Sequence, residues 1–242
     1  MLLDAENVCK AFGSFRAVSG ASLSIAEGEI VGLIGPNGAG KSTFFNCLAG
    51  DTAPSAGRIL FDNADLTHAS PEAHARAGIG RTFQVPATFE DMTVLDNVMV
   101  GAFLRHPGRA AARAHALDIV ALTGLHGQTH HRARMLGTPG RKRLEIARVL
   151  ASGPRLMLLD EALAGLTPTE LQQAIALVRR IHGMGITLVI VEHIMEVIMT
   201  LARRVLVFNQ GQVIAQGKPE DVVKDEAVIE AYLGRGHRKR RR

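Results

Sequence analysis

Nine consecutive residues constrain this 242-residue chain more than any other feature: Gly35-Pro36-Asn37-Gly38-Ala39-Gly40-Lys41-Ser42-Thr43. The three glycines let the backbone curl until several N–H groups face one point, an arrangement suited to phosphate oxygens. The apolar run Glu29-Ile30-Val31-Gly32-Leu33-Ile34 precedes the loop, and helical spacing follows it from Lys41 to about Ala49. Strand, glycine-rich turn and helix, in that order, distinguish a G-x-x-x-x-G-K-[ST] phosphate loop from a glycine turn with an incidental lysine. The helix start adds its positive end to the same anion. In such a loop Lys41 reaches the terminal phosphates and the Ser42 hydroxyl is a ligand for Mg²⁺.

The rest of the chain supports an α/β fold. Short buried runs are expected at residues 155–159, 186–191 and 204–208, with helices at 168–182 and 193–202 between them. Strands alternating with helices imply a parallel sheet covered on both faces. Shorter alternating runs near residues 2–8, 21–25 and 58–61 suggest a small antiparallel layer. Residues 86–152 are rich in Ala, Arg and His, are helical in spacing (residues 110–122 especially), and lack a convincing strand. They read as a helical subdomain inserted into the α/β core. The expected fold is therefore a P-loop NTPase. Its core is formed by residues 1–85 and 153–234, its helical subdomain by 86–152, and a basic tail by 235–242. Pro168 suits the first position of its helix.

An apolar strand ends in two carboxylates at Leu156-Met157-Leu158-Leu159-Asp160-Glu161. Alternation along a strand is expected to send Asp160 and Glu161 to opposite sides, and so to different tasks. Asp160 is suited to hold Mg²⁺, directly or through water, and Glu161 to orient or deprotonate an attacking water. An acidic pair closing a strand is commonplace by itself; the phosphate loop gives it meaning.

With these residues in place, the chain resembles the ATP-binding subunits of ABC transporters from Val8 to about Gly234. The resemblance implies ATP and Mg²⁺ as cofactors. Gln84, in Thr82-Phe83-Gln84, falls where the family carries its Q-loop, implying contact with Mg²⁺ or the lytic water. His193 closes a strand where the family's switch histidine lies, implying a hydrogen bond to the γ-phosphate; a helix-capping histidine is the alternative. Phe12 occupies the position of the aromatic that stacks on adenine, with Val18 beside it; a core aromatic is the alternative. Gly80-Arg81-Thr82-Phe83-Gln84, Arg143-Leu144-Glu145-Ile146-Ala147-Arg148, Val191-Glu192-His193 and Ala231-Tyr232-Leu233-Gly234 together look like the ATPases of branched-chain (hydrophobic) amino acid importers. The ATPase of lipopolysaccharide export, with a similar ending and a run like Arg76-Ala77-Gly78-Ile79-Gly80, is the closest competitor. A non-transport ABC protein acting on nucleic acid is a third class. Such proteins commonly carry two cassettes or a long coiled-coil insertion, and this sequence has neither. A subunit that binds ATP without hydrolysing it is a further possibility.

The family pattern breaks at one loop. The signature Leu-Ser-Gly-Gly-Gln falls on Leu136-Gly137-Thr138-Pro139-Gly140, where only Leu136 matches. In the family this loop faces the γ-phosphate held by the opposite subunit. Gly137 lacks the hydroxyl and Pro139 lacks an N–H; Thr138 and the Gly140 N–H are substitutes in a shifted register. A missing donor to a charged phosphate is worth ~1.5–3 kcal/mol. Ala162, Thr167 and Ile194 also stand where Pro, an Asp or Asn, and Asp are usual. The expected partners are therefore membrane permease subunits and a second ABC ATPase, as a heterodimer rather than a homodimer.

Charge excludes other classes. Six of the 28 Lys and Arg lie in the last eight residues, which contain no acid, leaving 22 against 23 acids in the body. A nearly neutral body lacks the basic face of a duplex-binding domain, and 4% aromatics with no Trp make a poor stacking platform. No nucleic-acid partner is expected. The tail has three readings: solvated charge, attraction to anionic lipid headgroups, and nucleic-acid binding. No apolar run approaches the ~18–20 residues of a membrane span, and no basic n-region opens the chain. The expectation is a cytoplasmic chain, peripheral on the inner face of the membrane. Cys9 and Cys47 do not suggest a disulfide framework, Cys47 being expected as a buried small apolar group. His126, His130 and His131 read as a solvated loop rather than a metal site.

Overall fold

A computed structural model describes residues 1–233; the basic tail, with Gly234 before it, lies outside the described residues. The chain opens with β1 (Leu3–Phe12), β2 (Phe15–Ile25), β3 (Ile30–Ile34), α1 (Lys41–Leu48), β4 (Ala56–Phe61), β5 (Ala64–Asp65), α2 (Pro71–Ala77) and β6 (Ile79–Arg81). Three helices follow: α3 (Val94–Ala102), α4 (Arg109–Leu122) and α5 (Thr138–Ala151). Next come β7 (Leu156–Asp160), α6 (Pro168–Gly183), β8 (Thr187–Val191) and α7 (Met195–Leu201). The chain closes with β9 (Arg204–Asn209), β10 (Gln212–Gly217), α8 (Pro219–Val222) and α9 (Glu226–Leu233). Two compact units are formed, one from Met1–His74 with the chain from Thr187 onward, the other from Ala75–Ile186.

The first unit contains the expected antiparallel layer, in strand order β2-β1-β4-β5. Its other strands run β10-β9-β3-β8, with β9, β3 and β8 parallel and β10 antiparallel at the edge. Every residue of β3 and β8 is buried, which is why both read as unbroken apolar runs. On α1, Phe44 packs against Phe208 of β9 with ring centroids 5.2 Å apart. Ile34 of β3 joins Ile198 of α7, Val205 and Val207 of β9, Val222 of α8 and Val228 of α9 in one apolar cluster. Gly32 permits this approach, since a Cβ there would lie 3.1 Å from the Ile198 side chain. Arg204, at the start of β9, donates to Glu29 at 2.7 Å and to the Ser24 carbonyl at 2.6 Å, fixing the turn that leads into β3.

In the second unit β6 and β7 pair in parallel, from Ile79 opposite Leu156 to Arg81 opposite Leu158. Residues 86–152 carry helices α3, α4 and α5 and no named strand. Buried Asn97 donates to the Phe89 and Thr93 carbonyls at 2.9 Å and accepts from the Phe89 N–H at 2.8 Å, closing the turn into α3. α3 and α5 approach closely at Gly101, where a Cβ would land on the Arg148 carbonyl oxygen. α6 begins at Pro168 as expected, behind a capping box in which Thr167 and Glu170 satisfy each other's backbone N–H groups.

Three strands, β5, β6 and β10, went unread in the sequence, β5 being only two residues long. β6 is only three residues long, too short for a periodic signal. β10 is a partly exposed edge strand with polar residues at both ends. α7 begins at Met195 with Ile194 as its cap residue, two residues later than its periodicity suggests.

Candidate functional site

The candidate residues fall into two groups, one in each unit. In the first, β3 delivers the chain into residues 35–43 and α1 takes it out. Gly35 (φ +148°), Gly38 (φ +77°) and Gly40 (φ +100°) all have the positive φ that side chains disfavour. At two of them the fold also excludes a Cβ: at Gly35 it would strike the Phe208 carbonyl oxygen, and at Gly40 that of Ala17. The Gly211 N–H donates to the Ala39 carbonyl at 2.8 Å, so the turn between β9 and β10 braces the loop from outside. Lys41 is 9% exposed, and its ammonium donates to the Gly35 and Pro36 carbonyls at 2.7 and 2.9 Å. Among the described residues no side chain caps α1 and no acid sits in its first turn, so its positive end is not neutralised locally. Asn37, Gly38 and Ser42 are exposed, Pro36 and Thr43 half-buried, and Ala39 buried.

Phe12 ends β1 and is 54% exposed, with the Lys10 ammonium 5.1 Å from its ring centre. It is therefore not a core aromatic. Val18, expected beside Phe12, is fully buried in β2. His193 is exposed and does not cap α7. Tyr232 of α9, named in the sequence only as part of the run 231–234 and given no task there, reaches the Gly35 backbone N–H; burial of its hydroxyl raises its pKa and that hydrogen bond opposes the rise. Cys47 is buried, and desolvation pushes its thiol up to about 11.

In the second unit the acidic pair parts company, but not through strand alternation. β7 ends at Asp160, and Glu161 lies beyond it in a left-handed turn at φ +47°. That conformation costs a non-glycine residue ~1–2 kcal/mol. Asp160 is 5% exposed; its N–H donates to the Thr82 hydroxyl at 3.1 Å, and Arg81 pairs with its carboxylate at 3.3 Å. The Arg81 guanidinium also lies 4.7 Å from the Phe83 ring centre. Exposed Gln84 donates through Nε2 to the Glu161 carboxylate at 2.9 Å, and the Lys142 ammonium donates to the Glu161 carbonyl at 2.9 Å. The structure thus brings Gln84 and Glu161 together. Arg81 and Lys142 are additions. Arg81 stands in the quoted Q-loop run, and a lysine near the start of an apolar-faced helix was the only sign of Lys142.

α5 begins at Thr138, with Gly137 as its cap residue, no capping side chain among the described residues and no acid in the first turn. Pro139 has no N–H, and the Arg141 N–H is spent on the Gly137 carbonyl at 3.0 Å. Residues 136–140 thus offer one side-chain hydroxyl, on Thr138, no N–H at Pro139, and an N–H at Leu136 that is donated to the Ala133 carbonyl at 3.0 Å. Next to this loop, burial raises the Glu145 carboxyl and lowers Arg148, its partner at 4.0 Å.

A pinned glycine loop before α1 and a buried carboxylate closing β7 define a nucleotide-binding P-loop protein. Comparison with known proteins narrows that class. The ABC transporter family profile matches residues 18–164, and a profile of branched-chain amino acid ATP-binding cassette transporters matches residues 212–238. The chain belongs to the ABC transporter family. It is 39% identical to the high-affinity branched-chain amino acid transport ATP-binding protein LivG of Salmonella typhimurium, over 96% of this chain and 98% of LivG. It is 34% identical to the lipopolysaccharide export system ATP-binding protein LptB of Escherichia coli, over 98% of each. The crystal structure of a nucleotide-free ATP-binding cassette from an ABC transporter superposes with a TM-score of 0.88 at 31% identity, covering 96% of this chain and 99% of that one.

Proposed function

We propose that this chain binds and hydrolyses ATP to power the uptake of branched-chain or other hydrophobic amino acids through a membrane permease. The observation that carries this reading is the likeness to LivG over nearly the whole of both chains, supported by the second profile at residues 212–238. Export of lipopolysaccharide is the second reading, on the likeness to LptB.

Residues 35–43 and Lys41 hold the triphosphate, and the exposed face of Phe12 takes the adenine. Val18, buried, supports the strand behind it. An exposed Ser42 hydroxyl, the buried Asp160 carboxylate and the Gln84 carboxamide oxygen are hard oxygen donors of the kind Mg²⁺ takes. Mg²⁺, when bound, neutralises charge on the phosphates. Glu161 accepts the proton of the attacking water, Gln84 orients its carboxylate, and His193 donates to the γ-phosphate. Residues 1–85 and 153–234 act as the nucleotide-binding core and 86–152 as the helical subdomain. Because residues 136–140 offer few donors, a second ATPase with an intact signature completes the site that this chain's Lys41, Asp160, Glu161 and His193 begin. No described helix is long and apolar enough to cross a membrane, in keeping with a chain peripheral to its permease on the cytoplasmic face.

The test is uptake of labelled leucine into vesicles carrying the permease, both ATPases and enclosed ATP. Glu161→Gln should retain ATP binding and slow turnover by two orders of magnitude or more, about the scale of losing a general base. Near-normal turnover removes Glu161 from its role. ATPase activity stimulated by lipopolysaccharide, without leucine uptake, would support the exporter reading instead.

A further inference from the structure

We propose that Lys142 is a positioning residue for Glu161, holding in place the backbone from which the carboxylate projects. It rests on the reading of Glu161 as the base. Lys142 lies in the second turn of α5 and is only 9% exposed. A buried ammonium needs strong acceptors. One of them is the carbonyl of Glu161, 2.9 Å from Nζ. That carbonyl belongs to a non-glycine residue held at φ +47°, a conformation that persists only where its surroundings enforce it. The same oxygen accepts the Ala164 N–H at the longer distance of 3.2 Å, and the Glu161 carboxylate is held separately by Gln84. Glu161 is thus gripped by its backbone from α5 and by its side chain from the segment after β6.

The grip also links the base to the divergent loop. Arg141, the preceding residue, donates to the Leu136 and Arg134 carbonyls at 3.1 Å and pairs with Glu90 at 2.9 Å. Two adjacent basic residues therefore fasten the end of α5 to residues 134–136 on one side and to Glu161 on the other. A shift of this helix end on engaging nucleotide is passed to the backbone of the base through the Lys142 hydrogen bond. Lys142 touches neither substrate nor metal in this scheme, so its effect belongs in the chemical step and not in ATP affinity.

K142M keeps the apolar stem without the charge, and K142R keeps the charge. Both are examined in the full chain assembled with its permease and second ATPase, by single-turnover hydrolysis of Mg-ATP and by binding of a fluorescent ATP analogue. K142M should slow single turnover at least about tenfold, with KM and analogue affinity within about twofold, because misplacing a catalytic group acts on the rate. K142R should recover most of that loss, and adding K142M to E161Q should cost nothing further. K142M at the wild-type rate overturns the proposal, as does an equal loss in both variants with weakened ATP binding. A K142M chain that does not fold also counts against it, by showing that Lys142 serves the fold at large. Wild-type turnover in E161Q alone would defeat the reading of the base and is a separate result.

Discussion

Replacing Gly35 with alanine tests whether the phosphate loop is built by the fold or shaped by its ligand. The new Cβ would strike the Phe208 carbonyl oxygen and lie 3.0 and 3.2 Å from the Phe208 carbonyl carbon and nitrogen. These are backbone atoms of β9, which pairs with β3 through Ile34 and Val207, so no rotamer change relieves the overlap. The positive φ adds ~1–3 kcal/mol and forced repacking ~1–3 kcal/mol, together about 2–6 kcal/mol. For a domain of this size each kcal/mol moves the midpoint by about 2–4 °C, so G35A should melt roughly 4–24 °C below wild type. Gly38 is the internal control: its φ is +77°, but a Cβ there meets nothing within 4 Å. G38A should cost only about 1 kcal/mol, or 2–4 °C. The assay is thermal unfolding followed by circular dichroism without nucleotide. If the two variants melt together near wild type, the loop is not pinned by β9 and its preformed shape is wrong.

Thr167→Ala removes one half of the capping box of α6 and should destabilise the chain by about 1 kcal/mol in urea titration. Glu170→Ala should cost a similar amount, and the double variant less than the sum, because the two side chains serve one another. His74 is buried, with Nδ1 against the Ser70 carbonyl at 3.1 Å and no partner for Nε2 among the described residues; burial lowers its pKa, opposed by the Ser70 bond and by Asp51. The unfolded chain therefore takes up the proton first as pH falls. The associated stability is complete above the ordinary value of about 6.5 and is lost as pH drops from there toward the lowered folded value. His74→Gln should flatten the fall in urea midpoint between pH 7.5 and 5.5; an unchanged slope would remove His74 as its source.

What the sequence revealed was local chemistry with fixed spacing. Gly35 to Thr43 could be read because the loop, its entering strand and its leaving helix are contiguous. The Asp160–Glu161 pair could be read for a similar reason, though the separating device is a left-handed turn and not pleat alternation. Arg81 meeting Asp160 across 79 residues, and Lys142 meeting the Glu161 carbonyl across 19, leave no periodic trace because they depend on which strands and helices become neighbours. Thr167 shows the limit from the other side. Noted in the sequence as standing where an Asp or Asn is usual, it is in the fold the cap of α6. Val18 was placed beside Phe12 by its position in a motif, and its complete burial in β2 left no sign in the sequence.

The central claim is that this chain carries competent residues for its own nucleotide and a weakened loop for its partner's. The most direct test is steady-state ATP hydrolysis by the purified chain alone against its mixture with an ABC ATPase bearing an intact signature. The loss of a donor worth ~1.5–3 kcal/mol corresponds to about ten- to a hundredfold in rate. The chain alone should hydrolyse ATP slower by that factor, and the mixture should restore it in sites containing this chain's Glu161. Robust, cooperative hydrolysis by the chain alone would contradict the account.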